Sequence, residues 1–127
     1  MDEKLIFIVD DDKVILNLLE YIFKSKEGYE VKTFSSGEDC LDHLEMNPNL
    51  IVLDHMFYYQ GEKRMSGLDT LKELKKRLKD VPVIVLSGQD DSLLVRDFIL
   101  NGASKYIPKE DYFIDALVES VEKVMVN

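Results

Sequence analysis

The chain has 127 residues, which suits one domain built on one core, residues 1–127, with no output domain in this chain. At 46% hydrophobic and 32% charged it has the balance of a folded soluble domain rather than a disordered one. The formal net charge of −9 argues against direct nucleic-acid binding, which relies on Lys and Arg to neutralise phosphates, and leaves open a basic partner or a site where carboxylates collect a cation. Cys40 is the one cysteine, so no internal disulfide can form, and its expected role is that of a small buried hydrophobe. The N-terminus is too acidic for a signal peptide, and no apolar run approaches the roughly 20 residues of a membrane span, so a cytoplasmic protein is expected.

In chain order, the first apolar run, Leu5–Val9, reads as a buried strand. Val14–Phe23 follows with helical spacing and is expected to turn Ile15, Leu18, Leu19 and Ile22 to one face. Tyr29–Phe34 alternates in polarity and is placed at a sheet edge. Ser36 can cap a helix through Met46, with Asp39 where a capping box wants an acid. Leu50–Leu53 is a second buried run, followed by an irregular stretch, Met56–Met65. From Ser66 a helix is expected to bury Leu68, Leu71, Leu74 and Leu78 and to turn residues 72–77 (KELKKR) to water. Val81–Leu86 is another buried run. Asp90 or Ser92 starts a helix that stops near Asn101-Gly102, and Ala103–Ile107 is the fifth strand. A last helix, roughly Asp111 to Met125, places Ile114, Leu117, Val118, Val121 and Val124 inward. This repeated β-α order predicts an α/β fold: a parallel sheet with helices on both faces.

The polar residues that end these runs carry the chemistry. LIFIV runs into Asp10, Asp11 and Asp12; LIVL into Asp54; VPVIVL into Ser87; and YI is followed by Pro108 and Lys109. In an open parallel sheet all of these emerge at the carboxyl ends of the strands, where ligands bind. Carboxylates brought together repel one another unless a cation or proton sits among them. Oxygen ligands without Cys or His suit Mg²⁺, which prefers to bridge to a phosphate. A carboxylate can also act as nucleophile and form an acyl phosphate, whose oxygens an ammonium and a hydroxyl can meet. Taken singly, each residue has a plainer role: Asp12 as a helix cap, Ser87 as a cap, Lys109 as a solvated charge. The agreement of four strand ends carries the functional reading.

This pattern resembles the receiver domain of two-component response regulators over essentially the whole chain, through IVDDD, LIVLD with HM, VIVLSG and NGASKYIPK. The resemblance implies a flavodoxin-like (βα)5 three-layer sandwich with strand order 2-1-3-4-5. It implies a signalling domain rather than an enzyme, catalysing only its own phosphorylation on Asp54 and slow self-dephosphorylation. The phosphoryl donor would be a sensor histidine kinase or phosphotransfer protein. Mg²⁺, with Mn²⁺ as an alternative, would be held by Asp11, Asp54 and the backbone carbonyl of Met56, and by Asp10 through water. Ser87, Gly88 and Lys109 would meet the phosphoryl group, and Tyr106 would turn inward as the switch. Output would leave through the fourth helix, fifth strand and fifth helix to a downstream protein or output domain, with phosphorylation-dependent dimerisation as one form of it. Met56 and Gln89 would flank the path of hydrolytic water.

Two departures from the family pattern stand out. The stretch from Asp54 to Gly67 is longer than usual, with Phe57, Tyr58 and Tyr59 beside the site. Lys109 is followed by Glu110 where the family has proline and a cis bond, so this peptide is expected to be trans, because a non-proline cis bond costs about 3 kcal/mol. Two other classes compete. Asp10 to Val14 also reads as the D-x-D-x-V nucleophile motif of a haloacid-dehalogenase-type phosphohydrolase, in which Asp10 rather than Asp54 would carry the phosphoryl group. The acidic pair expected beyond the lysine does not fit, and Asp54 would have no role. A degenerate receiver that only binds protein is the other, against which the intact five-residue set speaks.

Overall fold

The computed structural model describes residues 3–55, 64–88 and 92–125. Five strands, β1 (Lys4–Val9), β2 (Tyr29–Phe34), β3 (Leu50–Asp54), β4 (Val83–Ser87) and β5 (Lys105–Pro108), form one sheet in the order β2-β1-β3-β4-β5. Every pairing is parallel. The helices are α1 (Lys13–Lys24), α2 (Gly37–Leu41), α3 (Gly67–Arg77), α4 (Ser92–Leu100) and α5 (Phe113–Met125). The fold is therefore the flavodoxin-like arrangement, with alternating β2 at one edge as its polarity pattern predicted.

Side chains alternate along a strand, so the buried strands feed two cores. Phe7, Val9, Ile51, Leu53, Val83 and Val85 pack with Cys40 and Leu41 of α2, Leu71 and Leu74 of α3 and Phe98 of α4. Ile6, Ile8, Leu50, Val52, Ile84 and Leu86 pack on the other face with Leu16, Leu19 and Phe23 of α1 and Leu117 and Val121 of α5. This double burial explains why β1, β3 and β4 read as unbroken apolar runs.

Three helices differ from their expected form. The buried face of α1 is Leu16, Leu19 and Phe23, while Leu18 is exposed and Ile15 and Ile22 lie at its margins. Apolar residues cover so much of this helix that periodicity left its rotation open, and contact with the sheet sets it. The helix expected from Ser36 to Met46 stops at Leu41 and resumes as a 3₁₀ turn, Leu44–Met46. The tighter turn keeps Leu44 buried while Asn47, in the left-handed region at φ 60°, and Pro48 redirect the chain into β3. In α5, Val124 is exposed and Ser120 is buried instead.

The caps follow the sequence. Asp12 accepts from the backbone N–H of Val14 at 2.9 Å and Ile15 at 3.4 Å, and Ser36 and Ser66 cap α2 and α3 through the N–H of Asp39 and Asp69. Gly102, at φ 106°, lies just beyond α4, the conformation that favours glycine there. Gly37 is needed for another reason: a Cβ on it would overlap Oγ1 of Thr70, a fully buried side chain whose hydroxyl donates to the Ser66 carbonyl at 2.8 Å. Gly37→Ala should cost about 1–3 kcal/mol in urea unfolding through overpacking. Adding Thr70→Ala should recover part of that loss; a double variant no more stable than Gly37→Ala would refute the steric cause.

Candidate functional site

The carboxyl ends of β1, β3, β4 and β5 bring the predicted site together. Asp10 follows β1, Asp54 ends β3, Ser87 ends β4 and Lys109 follows β5. The ends are tied by backbone bonds: Asp10 N–H donates to the Phe34 carbonyl at 3.1 Å, His55 N–H to Leu86 at 2.7 Å, and Lys109 N–H to Ser87 at 2.6 Å. Carboxylate oxygens of Asp10, Asp11 and Asp54 lie within 4.8 Å of one another, with Asp10 and Asp54 buried and Asp11 exposed. Lys109 Nζ bridges the two buried acids, 2.6 Å from Asp54 Oδ1 and 3.0 Å from Asp10 Oδ2. Asp10 Oδ1 also accepts from the Asp12 N–H at 2.9 Å, which holds the carboxylate in place.

The electrostatics follow from that crowding. Burial, then the negative charge of Asp10, pushes the Asp54 carboxyl up to about 6, against the hydrogen bond from Lys109. Asp10 is likewise raised, mainly by burial. Burial works against the Lys109 charge, but its bonds to Asp54 and Asp10 prevail and hold its pKa above the ordinary lysine value. The site therefore holds more negative charge than one ammonium neutralises, and its hard oxygen donors fit a divalent cation. Asp11, at the exposed side of the cluster, leaves that cation a route from solvent.

The remaining predicted residues divide. Ser87 is fully buried beside this cluster at the end of β4, and Gly88 is exposed with open space where a Cβ would stand. Tyr106 lies half-buried on β5, its ring 5.7 Å from that of Phe98. Met56, Gln89 and the aromatics Phe57, Tyr58 and Tyr59 lie outside the described residues. No peptide among the described residues is cis, so the Lys109–Glu110 bond is trans as expected. Cys40 is fully buried, its thiol pushed up to about 12 by burial, as its role of small hydrophobe requires.

Two features escaped the sequence reading. One is the Asp10–Lys109 ion pair, joining residues 99 apart in the chain, for which no local signal exists. The other is Phe98, whose buried ring meets His55 edge-on at 5.0 Å on one side and Tyr106 on the other. Burial also lowers the His55 pKa, disfavouring the charged imidazolium in the residue after Asp54.

Comparison with known proteins agrees with this geometry. Residues 6–122 match the family model of the response regulator receiver domain. The chain is 34% identical over 110 residues to the alkaline phosphatase synthesis transcriptional regulatory protein PhoP of Bacillus subtilis, covering 84% of this chain and 42% of that protein. It is 32% identical over 123 residues to the transcriptional regulatory protein DegU of Brevibacillus brevis, covering 94% and 49%. The chain thus spans about half the length of the curated relatives it matches. Among solved structures, the BeF3-activated receiver domain of DrrB, a Thermotoga maritima protein, superposes with a TM-score of 0.83 at 28% identity, covering 97% of both chains. A CheY-like receiver domain from Methanospirillum hungatei gives 0.80 at 29%, covering 97% and 94%.

Fold and site define a domain of the two-component signalling systems. The chain belongs to the response regulator receiver domain family, whose members signal through phosphorylation of an aspartate. Among the described residues, no helix is long and apolar enough to cross a membrane.

Proposed function

We propose that the chain as a whole is one receiver domain and that Asp54 is its phosphoacceptor. The observation that carries this is the Lys109 ammonium bridging Asp54 and Asp10 at the carboxyl edge of the sheet. In the transfer, an Asp54 oxygen attacks phosphorus as the bond to the donor's imidazole nitrogen breaks; with the other ring nitrogen already protonated, the products are an acyl phosphate and a neutral imidazole. Lys109 is already within reach of Asp54, and Ser87 ends the adjacent strand, so ammonium and hydroxyl can meet the phosphoryl oxygens. Asp10, Asp11, Asp54 and the Met56 carbonyl would hold Mg²⁺, which when bound supplies positive charge to those oxygens. The donor is a sensor histidine kinase or phosphotransfer protein in the cytoplasm. Tyr106 and Gly88 belong to the switch, and output passes through α4, β5 and α5 to a downstream protein or output domain, or to a second phosphorylated copy.

Intact-mass analysis with acetyl phosphate and Mg²⁺ tests the assignment. The wild type should gain one phosphoryl group and Asp54→Asn none; equal labelling of both would sink it, and labelling lost only in Asp10→Asn would favour the phosphohydrolase. Mg²⁺ affinity should rise with pH through about 6, where Asp54 ionises, and level off above it. Isothermal titration at pH 5 and pH 7.5 checks this, and equal affinities would contradict it. Met56 offers no base and orients water poorly, so the acyl phosphate should last minutes or longer with Mg²⁺. Decay within a few seconds, followed by the same mass measurement, would rule that out.

A further inference from the structure

Far from the acidic site lies a basic one. Lys72, Lys75, Lys76 and Lys79 line a shallow, open groove of about 560 Å³ between the C-terminal ends of α3 and α4, with Leu100, Asn101 and Gly102 along its other side. Residues 72–80 hold five basic and two acidic side chains, a net +3, so the rest of a chain of net charge −9 carries −12. Positive charge near a helix C-terminus is favourable in itself, and that explains one or two lysines. It does not explain the groove. Lys76 and Arg77 share Glu73, at 3.8 Å and 3.6 Å, whereas Lys72 and Lys79 meet no carboxylate among the described residues. Lys75 is built in as a floor: its Nζ donates to the Val81 carbonyl at 2.6 Å, and its stem crosses Gly102 so closely that a Cβ there would meet Lys75 Cγ at 2.9 Å. Leu100, 70% exposed, stands at the rim.

We propose that this groove docks a short acidic segment of a partner protein, with Asp or Glu side chains facing Lys72, Lys76 and Lys79 and one apolar side chain seated on Leu100 and the lysine stems. Lys72 and Lys76 lie about one helical turn, ~6 Å, apart, matching acids one turn apart on an amphipathic helix. The apolar rim and the strongly acidic remainder of the chain disfavour an extended polyanion such as nucleic acid, which needs a long basic track. Because α3 and α4 run back against the strands, the groove sits at the end of the sheet opposite Asp54. A partner bound there leaves the phosphoacceptor open, and the inference stands independently of that assignment.

The test is an amide NMR titration of the full chain with a short synthetic peptide of glutamates flanking a single leucine. Shifts should concentrate at residues 72–79 and 100–102 and weaken with salt. Lys72→Glu with Lys79→Glu should reduce affinity about 10-fold or more, since like charges then face the peptide. Leu100→Ser, or serine for leucine in the peptide, should reduce it about 3-fold by removing apolar contact. Phosphorylation by acetyl phosphate should be unchanged in these variants, showing that they fold. Absence of shifts, or shifts centred elsewhere, would overturn the proposal. So would equal binding of a DNA duplex with no effect of Leu100→Ser, which marks a general anion patch. Self-association filling the groove without peptide would assign it to a second copy instead.

Discussion

Lys109→Gln should destabilise the protein by about 2–3 kcal/mol at pH 7.5, because it leaves Asp10 and Asp54 buried against each other without their ammonium. The figure sits below the usual cost of a broken, fully buried pair because the Lys109 side chain keeps 20% of its exposure. The loss should shrink toward pH 5. There one of the two carboxyls takes a proton, and the raised values of both acids already lean toward it. Mg²⁺ should stabilise this variant more than the wild type, since the cation enters a site with one fewer positive charge. Phosphorylation by acetyl phosphate should slow as well, because the ammonium that meets the transferred charge is gone. Urea unfolding at both pH values, with and without Mg²⁺, measures the stability effects; an identical loss at pH 5 and pH 7.5 would contradict the electrostatic cause.

Asp54→Asn should abolish phosphorylation and yet leave the domain at least as stable as the wild type above pH 7. A carboxyl raised from 3.8 to about 6 on folding binds its proton more tightly in the native state. Its contribution is therefore fully present below about pH 4 and is lost as pH rises through about 6, a swing of about 3 kcal/mol at most. Asparagine removes that swing and the repulsion with Asp10, while giving up a charged bond from Lys109 for a neutral one. The stability of wild type should fall between pH 4 and pH 6.5 relative to the variant, and the two curves should run parallel above it. Parallel curves across the whole range would mean that Asp54 folds with an unperturbed carboxyl.

The site was legible because its two buried acids break a strong local rule. An acid directly after LIFIV or LIVL has no packing use in a doubly buried strand, so Asp10 and Asp54 stand out in the sequence alone. Ser87 and Lys109 gained meaning by sharing a sheet edge with them, an inference that needed only the parallel topology. What lay beyond reach was pairing. Whether Lys109 would meet Asp10, Asp54 or solvent depends on backbone bonds between β4 and β5 that no short-range pattern encodes.

The helices show the same division. Capping chemistry is local, and Asp12, Ser36 and Ser66 cap as their sequence context predicts. Rotation is not local: α1 offers apolar residues on several faces, and contact with the sheet buries Leu16 and Phe23 while leaving Leu18 exposed. The order of elements, the parallel sheet and the residues at its carboxyl edge are written in the local pattern, because burial on two faces imposes unbroken apolar runs. Which helix faces are buried, where α2 stops, and the spanning of two carboxylates by one ammonium emerge only in the folded chain. Those outcomes depend on the close approach of residues far apart in the chain, where packing and charge act across space rather than along sequence.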